Sequence, residues 1–382
     1  MNLDFSADQL RLKDEVRKVL ADLSSPARIR EVLEAGLPLD RHLWATLGEL
    51  GLLAAAIPEA YGGTGAGYLE LCVIAEELGR ALAPVPFASS ICLGAELILA
   101  AGTQAQKTLY LPALASGKCI ACLGLAEGPG KLGPAAVATV AEECVLSGSK
   151  WPVLDGACAD IAIVAARTGT GTGTGTGIAL FIVRLDAPGV VRAPLESLDP
   201  TRGQARIDLH GVHAELLCAD GWPLLQLALD RAAVLAAFEQ IGGGDRALEM
   251  ARDYALQRHA FGRPIGSFQA IKHKLADMYV SLVLARSNCY YAAWALAHGA
   301  VELPEAAAAA RVSATQAFRQ CAAENIQIHG GMGFTWDMDC HLYYRRAHLL
   351  GVSLGGLGQW QDRLIEQLRE RRTHQEGSAH GL

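Results

Sequence analysis

The sequence predicts a multi-domain α+β fold: an N-terminal helical domain, then a middle β-barrel or β-sandwich domain, then a C-terminal four-helix bundle. Two changes along the chain predict it. Near Cys119, apolar residues at helical spacing give way to short apolar runs between Gly, Pro and Asp, and long Ala-rich helical stretches begin near Leu224. The predicted domains are therefore residues 1–118, 119–222 and 223–382.

The N-terminal domain is predicted from signals that start and stop helices. Ser6 and Gln9 form a capping-box pattern before the first amphipathic helix. Residues 57–65 (Ile-Pro-Glu-Ala-Tyr-Gly-Gly-Thr-Gly) are too rich in turn formers to stay regular. Pro84 and Pro86 break the helix that follows. We therefore expect short helices joined by turn-rich loops.

The middle domain is predicted from short apolar runs that have the length of strands. Examples are residues 144–148, 161–166 and 178–183. Residues 168–177 form a Thr-Gly repeat between two of these runs, and we expect a flexible hairpin tip there. The repeat lacks the Lys that follows a nucleotide-binding Gly loop, so it does not predict a phosphate site.

The C-terminal bundle is predicted from four long stretches with helical periodicity. They are residues 227–258, 267–297, 304–328 and 358–371. The alanines that recur in them would let helices pack closely together.

Composition and charge exclude several function classes. The 382 residues carry a net charge of −7 with a pI near 5.9, which argues against nucleic acid as a partner. No apolar run of about 20 residues occurs, so no membrane span is expected. Ten scattered cysteines favour reduced thiols in the cytoplasm. Cys119 and Cys122 form a C-x-x-C pair without a second pair at zinc spacing, so no metal site is predicted.

The segment after the first long C-terminal helix predicts a tight turn between two helices. Gly262 suits a helix C-cap with positive φ, and Pro264 prevents the helix from continuing. Ser267 can cap the next helix. The turn would present Arg258, Phe261 and Gln269 near a helix N-terminus, which is an arrangement suited to phosphate. A helix corner with a surface arginine explains the same spacing.

A second segment, residues 325–336, predicts another ligand-facing turn. A helix runs into Gly330 and Gly331, where a backbone without side chains lets a ligand approach closely. Gln327 offers an amide that could bind a phosphate or a nucleotide edge. Taken alone, the segment is equally consistent with a helix C-cap.

Together these segments resemble the acyl-CoA dehydrogenase family. The resemblance rests on the three-part layout, the R-H-A-F-G…F-Q turn and the Q-I-H-G-G-M-G-F segment, with support from residues 57–65 and 148–151. It covers essentially the whole chain. The family implies FAD and a coenzyme A thioester, with a carboxylate removing the α-proton while the β-hydride passes to the flavin.

The resemblance also implies roles for named residues. Arg258, Phe261 and Gln269 would hold the pyrophosphate and adenosine end of the neighbouring subunit's FAD, and Trp151 would lie beside the flavin ring. The bundle would line the same FAD with the residues Gln327, Gly330 and Gly331. An acyl-CoA substrate, an electron-transfer flavoprotein as electron acceptor, and a homo- or hetero-tetramer with a family homologue are implied as partners.

The sequence departs from the family pattern at the catalytic base. The family usually has a Glu in a Tyr-Glu-Gly-Thr pattern near the C-terminus, and Leu354 stands in its place. A branch of the family carries the Glu on the helix that leads to Arg258, and that position is Ala232. Asp230 lies two residues away, which is about 200° around a helix. It is the candidate base of this chain, provided that the helix start is frayed or bent.

A second departure lies in the loop that faces the flavin. The family has Thr-Glu-Pro-Gly-Ala-Gly-Ser-Asp there, and residues 126–133 read Ala-Glu-Gly-Pro-Gly-Lys-Leu-Gly, without hydroxyl groups. The next flavin contact of the family, a Thr, is Val153 here. The adenosine-side motifs are therefore intact, whereas the ring-side and base motifs have changed.

Four hypotheses follow from this division. The chain resembles the partner subunit of heteromeric bacterial acyl-CoA dehydrogenases that degrade steroid or other bulky side chains, and residues 334–343 also resemble that class. It could instead be a self-sufficient homo-oligomeric dehydrogenase that uses Asp230. A non-catalytic flavin-binding scaffold and a related flavin oxidase or monooxygenase are the other two.

Overall fold

A computed structural model describes residues 4–169 and 177–379, with side chains described up to residue 373. The fold class is as predicted: helices come first, a sheet follows, and long helices complete the chain. The chain divides into two compact units. The bundle unit comprises Met1–Lys18, Cys72–Leu82 and Ala233–Leu382, and the sheet unit comprises Val19–Leu71 and Ala83–Ala232. The predicted three-domain boundaries stay predictions.

The N-terminal helices begin where the capping signals place them. Ser6 and Gln9 exchange hydrogen bonds, with Gln9 N donating to Ser6 Oγ over 3.2 Å and Ser6 N to Gln9 Oε1 over 2.8 Å. Thr103 and Gln106 form a second capping box. The helices are α1 (Ala7–Leu23), α2 (Pro26–Glu34), α3 (Arg41–Glu49), α4 (Tyr68–Arg80), α5 (Phe87–Ser89), α6 (Glu96–Ala101) and α7 (Gln104–Ala115).

The middle region folds into one mixed sheet of eight strands within the described residues. Strand order is β6-β7-β3-β2-β4-β5-β8, and β1 pairs with β4 in parallel. The Thr-Gly repeat lies mostly outside the described residues, but Arg167 pairs with Ile178 beside it, as expected for a hairpin. The strands are β1 (Ala121–Gly124), β2 (Val140–Glu142), β3 (Val145–Leu154), β4 (Ile161–Thr168), β5 (Ile178–Arg184), β6 (Val190–Leu195), β7 (Gln204–His213) and β8 (Glu215–Cys218).

The C-terminal region is helical, as predicted, with one helix more than the four that the sequence indicated. The additional helix is short and lies between the last two predicted ones. No described helix is long and apolar enough to cross a membrane. The helices are α8 (Gly221–Gln257), α9 (Gln269–Ala297), α10 (Leu303–His329), α11 (Cys340–Leu350) and α12 (Leu357–Ala379).

Glycines and buried charges fix the helices of the bundle unit. A Cβ at Gly242 would collide with the backbone of Glu76, so α4 and α8 pack at a distance that only glycine permits. Arg286 on α9 donates to Glu76 over 2.6 Å and also pairs with Asp245 on α8. Lys13 on α1 lies 2.8 Å from the same Glu76 carboxylate. The buried carboxylate is therefore matched by two cations.

Candidate functional site

The connection between α8 and α9 is a small β-hairpin rather than the predicted helix–turn–helix. Helix α8 ends at Gln257, and β9 (His259–Ala260) pairs antiparallel with β10 (Arg263–Pro264). Phe261 and Gly262 both have positive φ, 53° and 80°. Two left-handed residues in succession make a hairpin turn of the primed type. The prediction of Gly262 as a helix C-cap was therefore wrong, although its positive φ was right.

The prediction that Ser267 caps α9 was also wrong. Its hydroxyl donates to the carbonyl of Pro264 over 2.7 Å, closing a 3₁₀ turn. Helix α9 begins at Gln269 after Phe268, and no side chain caps it. The first N–H groups of a 29-residue helix therefore lack a side-chain acceptor, and the positive end of its dipole lies beside the hairpin.

The hairpin exposes the two side chains that the sequence singled out. Among the described residues, the Arg258 guanidinium has no hydrogen-bond or ion-pair partner, and it is exposed. Phe261 is 94% exposed and touches Phe268 edge-on, with ring centroids 6.1 Å apart. A large aromatic exposed to this degree beside an unpaired cation is typical of a binding surface.

The end of α10 presents the second predicted segment. Gln327 is exposed on the last turn of the helix. Gly330 has φ 59° and ψ −139°, a conformation that side-chain-bearing residues rarely adopt. A Cβ at Gly330 or Gly331 would meet nothing within 4 Å. The backbone at this point is therefore open to an approaching ligand, and packing within the chain does not explain the glycines.

An aromatic stack joins the two segments at one end of the bundle unit. The His329 ring lies on the Tyr254 ring with centroids 4.1 Å apart. Burial lowers the pKa of His329, and its Nδ1 lies 2.8 Å from the carbonyl of Asn325. Tyr254 is one turn before Arg258 on α8, and His329 directly precedes Gly330. The stack thus links the ends of α8 and α10, next to the residues that the sequence predicted for the adenosine end of FAD.

Trp151 lies in the sheet unit, on β3, beside the loop of residues 126–133. Its N–H donates to the carbonyl of Ala126 over 2.8 Å. The neighbouring Lys150, which is fully buried, donates to Glu127 Oε1 over 2.5 Å. Glu127 also accepts from the backbone N–H of Thr139 over 3.0 Å. The ion pair and these hydrogen bonds from backbone N–H groups therefore fix the loop against Trp151.

The residues that line the pocket beside this loop carry no hydroxyl group that could replace the family's contacts to the flavin ring. A small pocket of about 80 Å³ is lined by residues between Leu125 and Ala136, and Leu132 stands there in place of the family's serine. Val153 is 0% exposed and packs inside the sheet unit, next to Gly156. A side chain buried in this way cannot contact a surface ligand, so replacing Val153 alone would not restore the family's hydroxyl contact.

The Lys150–Glu127 pair yields a prediction about pH. Burial lowers the pKa of Lys150 to about 8, against the opposing hydrogen bond and charge of Glu127. Between about pH 8 and about pH 10.4, the unfolded chain keeps a proton that the folded protein has lost. The contribution of this lysine to the free energy of unfolding therefore rises with pH across that window. We expect the rise to be missing in Lys150→Met.

The measurement is urea unfolding of both proteins at several pH values, taken as the difference between them. Buried cysteines and tyrosines, whose pKa values are raised by burial, titrate alike in both proteins and cancel. A difference that stays constant from about pH 8 to about pH 10 would contradict the assignment.

Asp230 lies in the interior of α8 and not at its start. The helix begins at Gly221, six residues before the predicted start, and Asp230 is 2% exposed. No fraying or bending of a helix end is therefore available to turn Asp230 toward the side of Ala232. The two positions stay about 200° apart around the helix. Asp230 as the base stays a prediction, and its helical setting weakens it.

Leu354 lies in the α11–α12 loop, residues 351–356, with φ 61°. The side chain of Leu354 is partly exposed, and its backbone carbonyl accepts a hydrogen bond from Trp360 Nε1 over 3.1 Å.

The sequence analysis missed Arg311, a buried arginine on α10 that donates to the carbonyls of Leu350 and Ser353. Its position in an Ala-rich helix gave no signal, because only the packed structure shows where the guanidinium ends.

Comparison with known families decides the identity. Three family models match in succession: the acyl-CoA dehydrogenase N-terminal domain over residues 6–118, the middle domain over 122–212 and the C-terminal domain over 219–367. The chain belongs to the acyl-CoA dehydrogenase family. Acyl-CoA dehydrogenase IpdE2 of Mycobacterium tuberculosis is 36% identical over 338 residues, covering 88% of this chain and 90% of that protein.

Two solved acyl-CoA dehydrogenase structures are similar throughout. A variant of the Tcur3481–Tcur3483 steroid acyl-CoA dehydrogenase has a TM-score of 0.86 at 30% identity, covering 96% of this chain and 99% of that chain. The ChsE4–ChsE5 complex from Mycobacterium tuberculosis has a TM-score of 0.87 at 27% identity, covering 97% and 99%. Both confirm the acyl-CoA dehydrogenase fold.

Acyl-CoA dehydrogenases bind FAD, and the residues of this chain fit one end of it. An unpaired guanidinium, an exposed aromatic, the uncapped N-terminus of α9 and two open glycines suit a pyrophosphate with its adenosine. The ring side fits less well, because Ala126, Leu132 and Val153 offer no hydroxyl. The chemistry of these residues therefore suits the adenosine side of FAD better than the ring side.

Proposed function

We propose that this chain is a subunit of an FAD-dependent acyl-CoA dehydrogenase that introduces an α,β double bond into an acyl-CoA thioester. One observation carries the subunit role: the exposed Arg258 and Phe261 and the open Gly330–Gly331 backbone are in place, whereas Leu354 occupies the position of the base. Bound FAD would supply the hydride acceptor. The proton acceptor would come from a partner chain of the same family.

The residues of this chain would bind and orient the cofactor. Arg258 would pair with the pyrophosphate, Phe261 would cover the adenosine, and Gln269 would add an amide at the positive end of α9. Gln327 and the glycines after it would admit the ligand close to the backbone. Trp151 would bound the ring side within the chain's own sheet unit.

An exposed apolar face on α9 supports assembly with a second chain. Tyr279, Val280, Val283 and Leu284 recur at helical spacing and are all exposed. Contiguous apolar surface of this kind marks protein interfaces. We place the homologous partner there, in a hetero-tetramer that brings Arg258 to a flavin held mainly by that partner.

The proposal extends to the acyl substrate, the electron acceptor and the cellular compartment. The similarity to a steroid acyl-CoA dehydrogenase favours a bulky acyl group, such as a steroid side chain, over a short one. An electron-transfer flavoprotein is the proposed electron acceptor. The ten free cysteines favour the reducing cytoplasm.

Co-expression with a family member that retains the glutamate tests the proposal. We expect a stable complex with one FAD per two chains, whose flavin loses its absorbance when acyl-CoA is added without oxygen. One FAD per chain, with reduction by acyl-CoA in the homo-oligomer, would favour a self-sufficient enzyme using Asp230. Bound FAD that no acyl-CoA reduces would favour a scaffold, and oxygen consumption matching turnover would favour an oxidase or monooxygenase.

A further inference from the structure

Arg311 is a buried cation that forms no ion pair with a carboxylate among the described residues. It is 1% exposed, in the middle of α10. Its Nη1 donates to Gln240 Oε1 over 2.8 Å, and the Gln240 amide donates in turn to Thr315 Oγ1 over 3.0 Å. Burial lowers the pKa of Arg311 to about 10, so the group stays charged near neutral pH. The negative charge of Glu239 favours the cation from a distance, and its direct partners are neutral oxygens, so hydrogen bonds must offset the cost of burying it.

Those hydrogen bonds converge on the α11–α12 loop. Nη2 of Arg311 donates to the carbonyl of Leu350, the last residue of α11, and to the carbonyl of Ser353 over 2.7 Å. The guanidinium thus donates to one helix-end carbonyl, that of Leu350, and to one loop carbonyl, that of Ser353. The same loop residue, Ser353, donates through its hydroxyl to the carbonyl of Leu349 over 2.9 Å.

Two further contacts complete the constraint on the loop. Trp360, on the first turn of α12, donates to the carbonyl of Leu354. Gly351 lies against Arg319, so close that a Cβ there would be 2.7 Å from the central guanidinium carbon. The guanidinium of Arg319 therefore packs directly on the backbone at position 351.

The constrained loop holds one residue in a conformation that leucine rarely adopts. Leu354 has φ 61° and Gly355 has φ 98°. A left-handed leucine persists only where the surrounding structure determines its backbone. Every hydrogen bond described above reaches the loop through a main-chain carbonyl or the Ser353 hydroxyl, and none uses the Leu354 side chain. The hydrogen bonds that hold the loop therefore do not involve the side chain at position 354.

We propose that Arg311 is a positioning residue: it fixes the α11–α12 loop and so holds the side chain at position 354 in one orientation. That this side chain then forms an apolar wall toward the acyl group rests on the proposed function. The chain would have lost the catalytic base at position 354 but kept the arginine that orients the side chain there. Removing Arg311 should loosen the loop without disturbing the cofactor contacts at the end of α8 and α10.

Hydrogen exchange on the assembled, FAD-loaded protein tests the proposal without measuring activity. We expect Arg311→Met to speed exchange of the amides of residues 351–356 by about tenfold or more, with the end of α8, the hairpin after it and α9 unchanged. Arg286→Met is the matched control, because it removes another largely buried arginine of the bundle unit and should leave this loop unaffected. Unchanged exchange in the loop, or an equal rise throughout the bundle, would overturn the proposal.

A second pair of variants keeps the test usable if Arg311→Met does not fold. Arg311→Lys retains the charge but not the fork that reaches two carbonyls, and Trp360→Phe removes the bond to Leu354. Both should loosen residues 351–356, and slow exchange there in both would overturn the proposal. A separate readout tests the role of Leu354. In the Arg311 variants, acyl-CoA-dependent flavin reduction should be about tenfold slower than in the unsubstituted complex, at unchanged FAD affinity. If the unsubstituted complex reduces no flavin, the proposed function fails, while the exchange result still decides the role of Arg311.

Discussion

Arg258→Ala is expected to weaken FAD binding by the assembled oligomer by roughly 10- to 100-fold, the loss expected for a charge-assisted hydrogen bond to phosphate. The guanidinium has no partner within the described chain, so its removal leaves no group unsatisfied and should not reduce stability. Arg258→Lys keeps the charge but loses the planar fork, so its FAD affinity should lie between those of the unsubstituted protein and Arg258→Ala. The measurement is the dissociation constant of FAD from flavin fluorescence, together with the thermal midpoint of the cofactor-free protein.

Arg252→Ala provides the matched control for Arg258. Arg252 lies on the last turns of α8, just before Arg258, is exposed and donates to the adjacent Asp253. Its removal changes the net charge by the same amount without touching the hairpin, and we expect FAD affinity to stay within about twofold, since exposed ion pairs contribute little. Equal weakening by both variants would mean that only overall charge matters, and Arg258 would lose its assigned role.

Leu354→Glu is expected to give the chain a base of its own. The α11–α12 loop is held through its backbone, so a glutamate can take the place of the leucine at the same φ. General-base catalysis typically contributes roughly 10²- to 10⁴-fold. We expect flavin reduction by acyl-CoA in the homo-oligomer to rise by up to that factor, measured by stopped-flow absorbance under anaerobic conditions.

Leu354→Gln is the control, because it has the shape of glutamate without a proton-accepting carboxylate. If the glutamine variant is as active as the glutamate variant, polarity rather than proton transfer explains the gain. Asp230→Asn in the unsubstituted protein completes the comparison. A loss of existing homo-oligomer activity through that change would identify Asp230 as the base and would remove the need for a partner chain.

Local sequence signals predicted the elements whose cause is local. The capping box at Ser6 and Gln9 needs only residues three apart, and it formed as expected. The open glycines after α10 were also identified, because their backbone freedom is a property of glycine itself. The same reasoning failed at Ser267, whose hydroxyl had a carbonyl three residues back as a competing partner.

Features that depend on distant segments could not be predicted from the sequence. Arg311 occupies an ordinary helical position, and its role depends on where α11 ends, 39 residues later in the chain. The start of α8 was placed late, because the apolar residues before Leu227 resemble the strand region as much as a helix. Asp230 therefore changed from a residue near a helix end to one in a helix interior. Side-chain roles at the site depend on such details.

The stack of His329 on Tyr254 couples the hairpin after α8 to the Gly330–Gly331 turn, so the two segments should fold and unfold together. A ligand that contacts both the hairpin and the Gly330–Gly331 turn binds only the folded bundle, so it stabilises that bundle by mass action. The melting temperature of the bundle should then rise with the logarithm of free FAD concentration, even in protein that turns over no substrate. Heat capacity scans can thus detect cofactor binding without any measurement of catalysis.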